Sequence, residues 1–149
     1  MGYFSELPRH ISKPLTLRSL FKKIIGGTKS HVPENIQATL LNAFPEASSV
    51  EWATRENYFE SVFYSENQEY IARLTFDGKL LEYRINEPLD TIPEQVRMIA
   101  EQHGEVMNCI SIHASDDEPV FEVIIRDESF VRFMLLVKAD GSLISKLKL

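Results

Sequence analysis

A chain of 149 residues, 44% hydrophobic and 26% charged, has the composition of an ordinary globular protein and can bury one compact core or two small units sharing one. Its single cysteine, Cys109, excludes an intramolecular disulfide, and no apolar run approaches the roughly 18 residues needed to cross a bilayer. The net charge of −6 is unevenly placed. Residues 1–30 carry Arg9, Lys13, Arg18, Lys22, Lys23 and Lys29 against Glu6, whereas residues 31–149 carry ten bases and twenty-one acids. An acidic body lacks the basic footprint that phosphate binding needs, so no nucleic-acid partner is expected.

The N-terminus, Met1-Gly2-Tyr3-Phe4, leads into no apolar export segment, and together with the lone thiol this gives the cytoplasm as the default location. Residues 15–25 place Leu17, Leu20, Phe21, Ile24 and Ile25 at helical spacing, with Arg18, Lys22 and Lys23 largely on the other side. The pattern predicts a short basic amphipathic helix, stopped by Gly26-Gly27. Packing against the domain is its first reading. Peripheral contact with an anionic membrane surface through Arg18, Lys22 and Lys23, making the protein a membrane-surface regulator, is the alternative.

From Val32-Pro33-Glu34-Asn35-Ile36 onward, Ile36, Leu40, Ala43 and Phe44 mark one face of a helix that Pro45 ends. Strand-like runs follow at residues 50–52, 58–64, 69–76 and 80–85, the last two joined by Asp77-Gly78, a strong hairpin signal. The order then recurs. Ile92-Pro93-Glu94-Gln95-Val96 opens a second helix, with Val96, Ile99, Ala100 and His103 on one face and Gly104 at its end. Strand-like runs at 108–113, 120–126, 131–137 and 143–147 follow, with Asp140-Gly141 in the place of Asp77-Gly78. From the helix proline to the turn aspartate is 44 residues in the first copy and 47 in the second, and Phe59-Glu60 corresponds to Phe121-Glu122.

The expected fold is therefore α+β: a basic segment over 1–30, then tandem αββββ repeats over about 31–87 and 91–149. These make one antiparallel sheet of about eight strands with both helices on one face. Strand alternation assigns Val50, Trp52, Phe59, Phe63, Ala72, Leu74 and Phe76 to the helix-covered side, with Ile110, Ile112, Phe121, Val123, Ile125, Phe133, Leu135 and Val137 in the second copy. The opposite face is mixed: Tyr58, Glu60, Val62, Tyr64, Ile71 and Arg73, then His113, Glu122, Ile124, Arg126, Arg132, Met134 and Leu136.

Val32-Pro33, Phe44-Pro45, Val50-Glu51-Trp52, Tyr58-Phe59-Glu60 and the run from Tyr70 to Phe76-Asp77-Gly78 together resemble the PepSY-like family, which is similar in architecture to the beta-lactamase inhibitor protein. The resemblance covers about residues 31–149 and is clearest in the first copy. It implies a curved sheet usable as a binding surface for a protein or peptide, in members generally not known as enzymes. Two departures stand out. Members often look exported, whereas no export segment shows here, and the second copy has Ile112 and Gly104-Glu105 in place of the tryptophan and the Phe-Pro closure.

No catalytic, metal or cofactor signature accompanies this pattern. Cys109 and His113 share a strand face about 13 Å apart, too far for a nucleophile and its base. The histidines His10, His31, His103 and His113 lack ligand spacing, and no cysteine pair joins them. Asp116-Asp117-Glu118 lacks the ligand alternation of a calcium loop. Asp77 and Asp140 recur at equivalent turns, where Asp and Gly serve backbone geometry. The leading reading is a non-enzymatic binding or regulatory module, with an enzyme of unknown class as an alternative that no residue pattern supports. Tyr58, Glu60, Tyr64, Arg73, His113, Arg126, Arg132 and Met134 on the mixed face would contact a protein, a peptide or a small apolar ligand. Cover by the N-terminal helix or by a second copy in a homodimer competes with that use.

Overall fold

The computed structural model describes residues 31–114 and 117–149; the helix expected over 15–25 lies outside them. Helix α1 (Glu34–Ala43) precedes strands β1 (Ser48–Thr54), β2 (Tyr58–Ser65), β3 (Gln68–Thr75) and β4 (Leu80–Glu87). A 3-10 turn (Leu89–Thr91) leads to α2 (Glu94–His103), then β5 (Glu105–His113), β6 (Val120–Arg126), β7 (Arg132–Lys138) and β8 (Leu143–Lys148). All eight strands form one antiparallel sheet in sequence order.

Local chemistry explains the boundaries. Pro33 and Pro93 sit immediately before their helices in extended conformation, where a missing N–H costs nothing, and Glu34 and Glu94 place negative charge at the positive end of each helix dipole. The two Asp-Gly turns share one construction. Gly78 and Gly141 have φ of 98° and 92°, and their N–H groups donate to Thr75 and Lys138, closing three-residue loops that need a left-handed third residue. Between β2 and β3 the loop is tighter: Glu66 and Asn67 both take positive φ.

The helices cover one face with two cores. In the first repeat Ile36 and Leu40 pack on Phe59, Phe63, Tyr70, Ala72 and Leu74, with Phe44 making ring contacts to Phe63, Tyr70 and Tyr83 at centroid distances of 5.0–5.5 Å. In the second, Val96 and Ala100 pack on Cys109, Phe121, Val123, Ile125, Leu135 and Val137. Ala43 is exposed, off the apolar face expected for it.

Gly104 replaces the Phe-Pro closure for a steric reason: a Cβ there would stand 2.4 Å from the Arg126 carbonyl oxygen, so only glycine lets the chain pass β6. Just after it, an irregularity between Val106 and Asn108 inverts the alternation of β5. As a result Cys109 and Ser111 face the helices opposite Val123 and Phe121, while Ile110 and Ile112 point to the open face opposite Glu122 and Val120. The sequence alternation assigned Ile110 and Ile112 to the helix-covered side; the bulge reverses them. It also moves His113, expected on the open face, to the helix side. There its ring stacks on Tyr83 at 4.6 Å and 3°.

Candidate functional site

On the open face of the first repeat, cross-strand pairing lines up alternating charges. Glu60 is buried, 6% exposed, and its two oxygens accept from Arg55 at 2.8 Å and Arg73 at 2.9 Å. Arg73 also donates to Glu82 at 2.7 Å and lies over the Tyr58 ring at 5.2 Å. Arg84 meets Glu82 at 3.4 Å and reaches across β5 to Glu122 at 3.1 Å. Burial alone would lower the Arg73 pKa, but the hydrogen bond and charge of Glu60, with Glu82, hold it above its usual value. This ladder stitches the two repeats together and keeps every one of its charges compensated. Beside it lie Ala53, Val62 and Ile71, an apolar cluster of their own.

The second repeat presents a different open face. Ile110, Ile112, Ile124, Met134 and Leu136 are half-buried, Leu147 is 55% exposed, and Asn108, Glu122 and Ser145 interrupt them. At one end Arg126 pairs with Glu105 at 2.7 Å, with Arg132 directly opposite Arg126. Just beyond stands Phe130, 76% exposed, its ring 5.5 Å from the Arg126 guanidinium.

The backbone at Phe130 is unusual. The loop runs from Asp127 to Val131, with Phe130 N–H donating to the Asp127 carbonyl and the Asp127 carboxylate accepting from the N–H groups of Ser129 and Val131. This is the geometry of the two Asp-Gly turns, with a phenylalanine at φ 63° in the glycine position. A bulky side chain in that region costs about 1–2 kcal/mol and is a genuine outlier.

The eight residues singled out from sequence thus separate into groups. Tyr58, Glu60 and Arg73 meet in the charged ladder, and Arg126, Arg132 and Met134 lie together on the second repeat's open face. Tyr64 lies six residues along β2 from Tyr58, at a shallow pocket of about 290 Å³ shared with Glu69, Asn86 and Glu87. His113 belongs to the other face. Sequence reading missed Arg55, Glu82 and Arg84, whose role depends on strand register, and Phe130, whose only signal was an aromatic residue at the third position of a turn opened by Asp127.

The groups with chemical potential are occupied by structure. Ser111, itself buried, donates to Glu87 at 2.6 Å and lies 2.9 Å from His113 Nε2. A serine that gives its proton to a carboxylate offers the histidine no proton to remove, so the trio is not a nucleophile–base–orienter array. Burial lowers the His113 pKa, opposed by the Glu87 charge. Burial also pushes the Cys109 thiol up to about 12, with Glu87 adding to it, which leaves the thiol unreactive. Hydrogen bonds from Thr75 and Ser142 hold Asp77 and Asp140 below the usual carboxylate range at their turns. Among the described residues no cluster of three metal-ligating side chains occurs, and no helix is long and apolar enough to cross a membrane. The membrane-contact residues Arg18, Lys22 and Lys23 lie outside the described residues.

No protein-family model matches the chain, and no curated protein matches it in sequence. The fold itself recurs: an open eight-stranded antiparallel sheet with both helices on one face is the BLIP-like fold. A BLIP-like protein from Bacteroides fragilis is 14% identical, with a TM-score of 0.70 over 83% of this chain and 89% of its own. A DUF2874 family protein from Bacteroides uniformis is 18% identical, with a TM-score of 0.72 over 79% and 90%. A protein from Bacteroides eggerthii provisionally assigned to the periplasm is 17% identical, with a TM-score of 0.72 over 80% and 90%. At these identities the likeness is one of fold. The periplasmic neighbour overturns the cytoplasmic default: a single thiol buried in the core is compatible with an oxidising compartment and gave no ground for that location.

Proposed function

We propose that this chain is a non-enzymatic, inhibitor-like binding module, of PepSY-like descent, that grips a protein or peptide with the open face of its second repeat. Phe130 carries the reading. The chain retains a bulky aromatic in a backbone position it twice gives to glycine, and it exposes that ring beside Arg126, where folding gains little from it. Strain of this kind persists where a side chain serves something other than stability, and exposed aromatic and arginine groups are typical anchors of protein interfaces. Met134, Ile124 and Leu147 supply the apolar floor, with Arg126 and Arg132 at its rim.

Affinity capture with the full chain tests this. The Phe130→Gly and Met134→Asp variants are expected to lose the specifically captured protein while remaining folded, whereas Tyr58→Ala retains it. A second copy of the chain counts as the partner if the wild type sediments as a dimer and Phe130→Gly as a monomer. Unchanged capture and unchanged sedimentation in both second-repeat variants contradict the proposal.

A further inference from the structure

The sheet ends on two unlike edges. Strand β1 is irregular between Ser48 and Glu51, has Ser49 at φ 52°, and carries an acid and no base. Strand β8 is regular from Ser145 to Lys148, carries Lys146 and Lys148 and no acid, and is exposed at every residue. Among the described residues it pairs on one side only, with β7. The Leu149 N–H donates to the Arg132 carbonyl at 3.0 Å, so alternation turns the backbone N–H and C=O of Lys146 and Lys148 away from β7. Such an edge is a template for a further strand. We infer that β8 takes an acidic, extended segment of the partner as an added strand, with carboxylates beside Lys146 and Lys148 and apolar side chains beside Leu147.

Charge selects this occupant. Residues 131–149 hold four of the ten bases of 31–149 and one of its twenty-one acids, Asp140. Lys148 and Lys146 stand opposite Phe133 and Leu135, on the helix side. Neither pairs with an acid among the described residues; Lys146 Nζ lies instead 3.3 Å from His103 Nδ1 and 4.4 Å from the Phe133 ring centroid. Lysine on an edge strand guards it against like edges. Pairing β8 with a second copy would bring two lysines from each chain to one seam, where like charges repel. The same charge attracts an acidic strand. On the open face Leu147 stands opposite Met134 and is 55% exposed, so an apolar side chain added beside it extends the floor already assigned to the partner. The inference rests on the function proposed above and names the segment of the partner that is recognised.

The test uses a capped peptide alternating glutamate and valine, titrated into the full chain to millimolar concentration and followed by amide exchange. Exchange at the Lys146 and Lys148 amides is expected to slow, while the β1 amides are unchanged and a peptide alternating lysine and valine has no effect. Lys146→Glu combined with Lys148→Glu should weaken binding of the glutamate peptide by about tenfold and admit the lysine peptide. These changes lie on an exposed edge and leave the fold intact. Unslowed exchange at both lysines overturns the inference, as does equal binding of the two peptides. Slow exchange at the same amides without peptide, in a chain that sediments as a dimer, overturns it in favour of pairing between copies. Loss of capture in Phe130→Gly keeps the proposed function in place when the peptide fails. Unchanged capture in Phe130→Gly beside a peptide that binds is the separate failure of that function.

Discussion

The two repeats are built to one plan and differ in both of their faces. On the helix side the first repeat is aromatic, with Phe44, Phe59, Phe63, Tyr70 and Tyr83 in contact, while the second is mostly aliphatic around Val96, Val123, Ile125 and Leu135. On the open side the first carries a compensated charge ladder and the second a half-buried apolar band with an exposed aromatic at its rim. The β2–β3 loop is a two-residue polar turn, whereas its counterpart between β6 and β7 presents Phe130. The two copies therefore share a frame but not an open face: the first is tied together by ion pairs, and the second, on the function proposed above, is the face that meets a partner.

Truncation in the two cores gives the largest effects. Phe63→Ala removes the ring at the centre of the aromatic cluster and should cost about 4 kcal/mol, and Leu135→Ala about 3 kcal/mol. Because β4 and β5 pair directly from Tyr83–His113 to Glu87–Cys109, both variants should unfold in urea as a single transition. Two separate transitions would break the picture of one cooperative sheet.

The charged faces come next. Glu60→Ala removes the carboxylate shared by Arg55 and Arg73, which are 19% and 30% exposed, and Arg73 keeps Glu82, so the loss should be about 2 kcal/mol, below that of a fully buried pair. Glu105→Ala, which removes an exposed partner of Arg126, should cost less than about 1 kcal/mol. Equal losses, read from the same urea curves, would erase the distinction between the two faces. Phe130→Gly should raise stability by about 1 kcal/mol by relieving the left-handed phenylalanine. A destabilised Phe130→Gly would mean that the ring serves the fold.

The smallest effect is a pH dependence confined to the seam between the repeats. His113 has a folded pKa below 6.5, so as pH falls the unfolded chain takes up the proton first. Its contribution is constant above about 6.5 and stability declines as pH drops from there toward the folded value. His113→Gln should flatten that decline in thermal unfolding measured across the window. An unchanged slope would place its origin elsewhere.

The helix starts, the two Asp-Gly turns and the eight-strand sheet were legible because proline, glycine and alternation each impose a local constraint that needs no partner. Alternation also separated the faces correctly through β2, β3, β6 and β7. It failed at β5, where one irregularity after Val106 exchanges Ile110 and Ile112 for Cys109, Ser111 and His113, since a bulge leaves no mark in a pattern of apolar residues. The ladder from Arg55 to Glu122 was only half visible, because pairing Arg84 with an acid 38 residues away requires the register of three strands, β4, β5 and β6. Phe130 was invisible for a related reason: its strain lies in a dihedral angle, and a turn that accepts phenylalanine looks in sequence like any polar loop with an aromatic neighbour.

Site-specific photo-crosslinking compares the two open faces most directly. A photoreactive phenylalanine analogue at position 130, and separately at position 58, would be irradiated in the full-length protein in its native extract. The second-repeat surface predicts a discrete crosslinked protein or peptide from position 130 and none from position 58. A discrete product from position 58 with none from position 130 would contradict it.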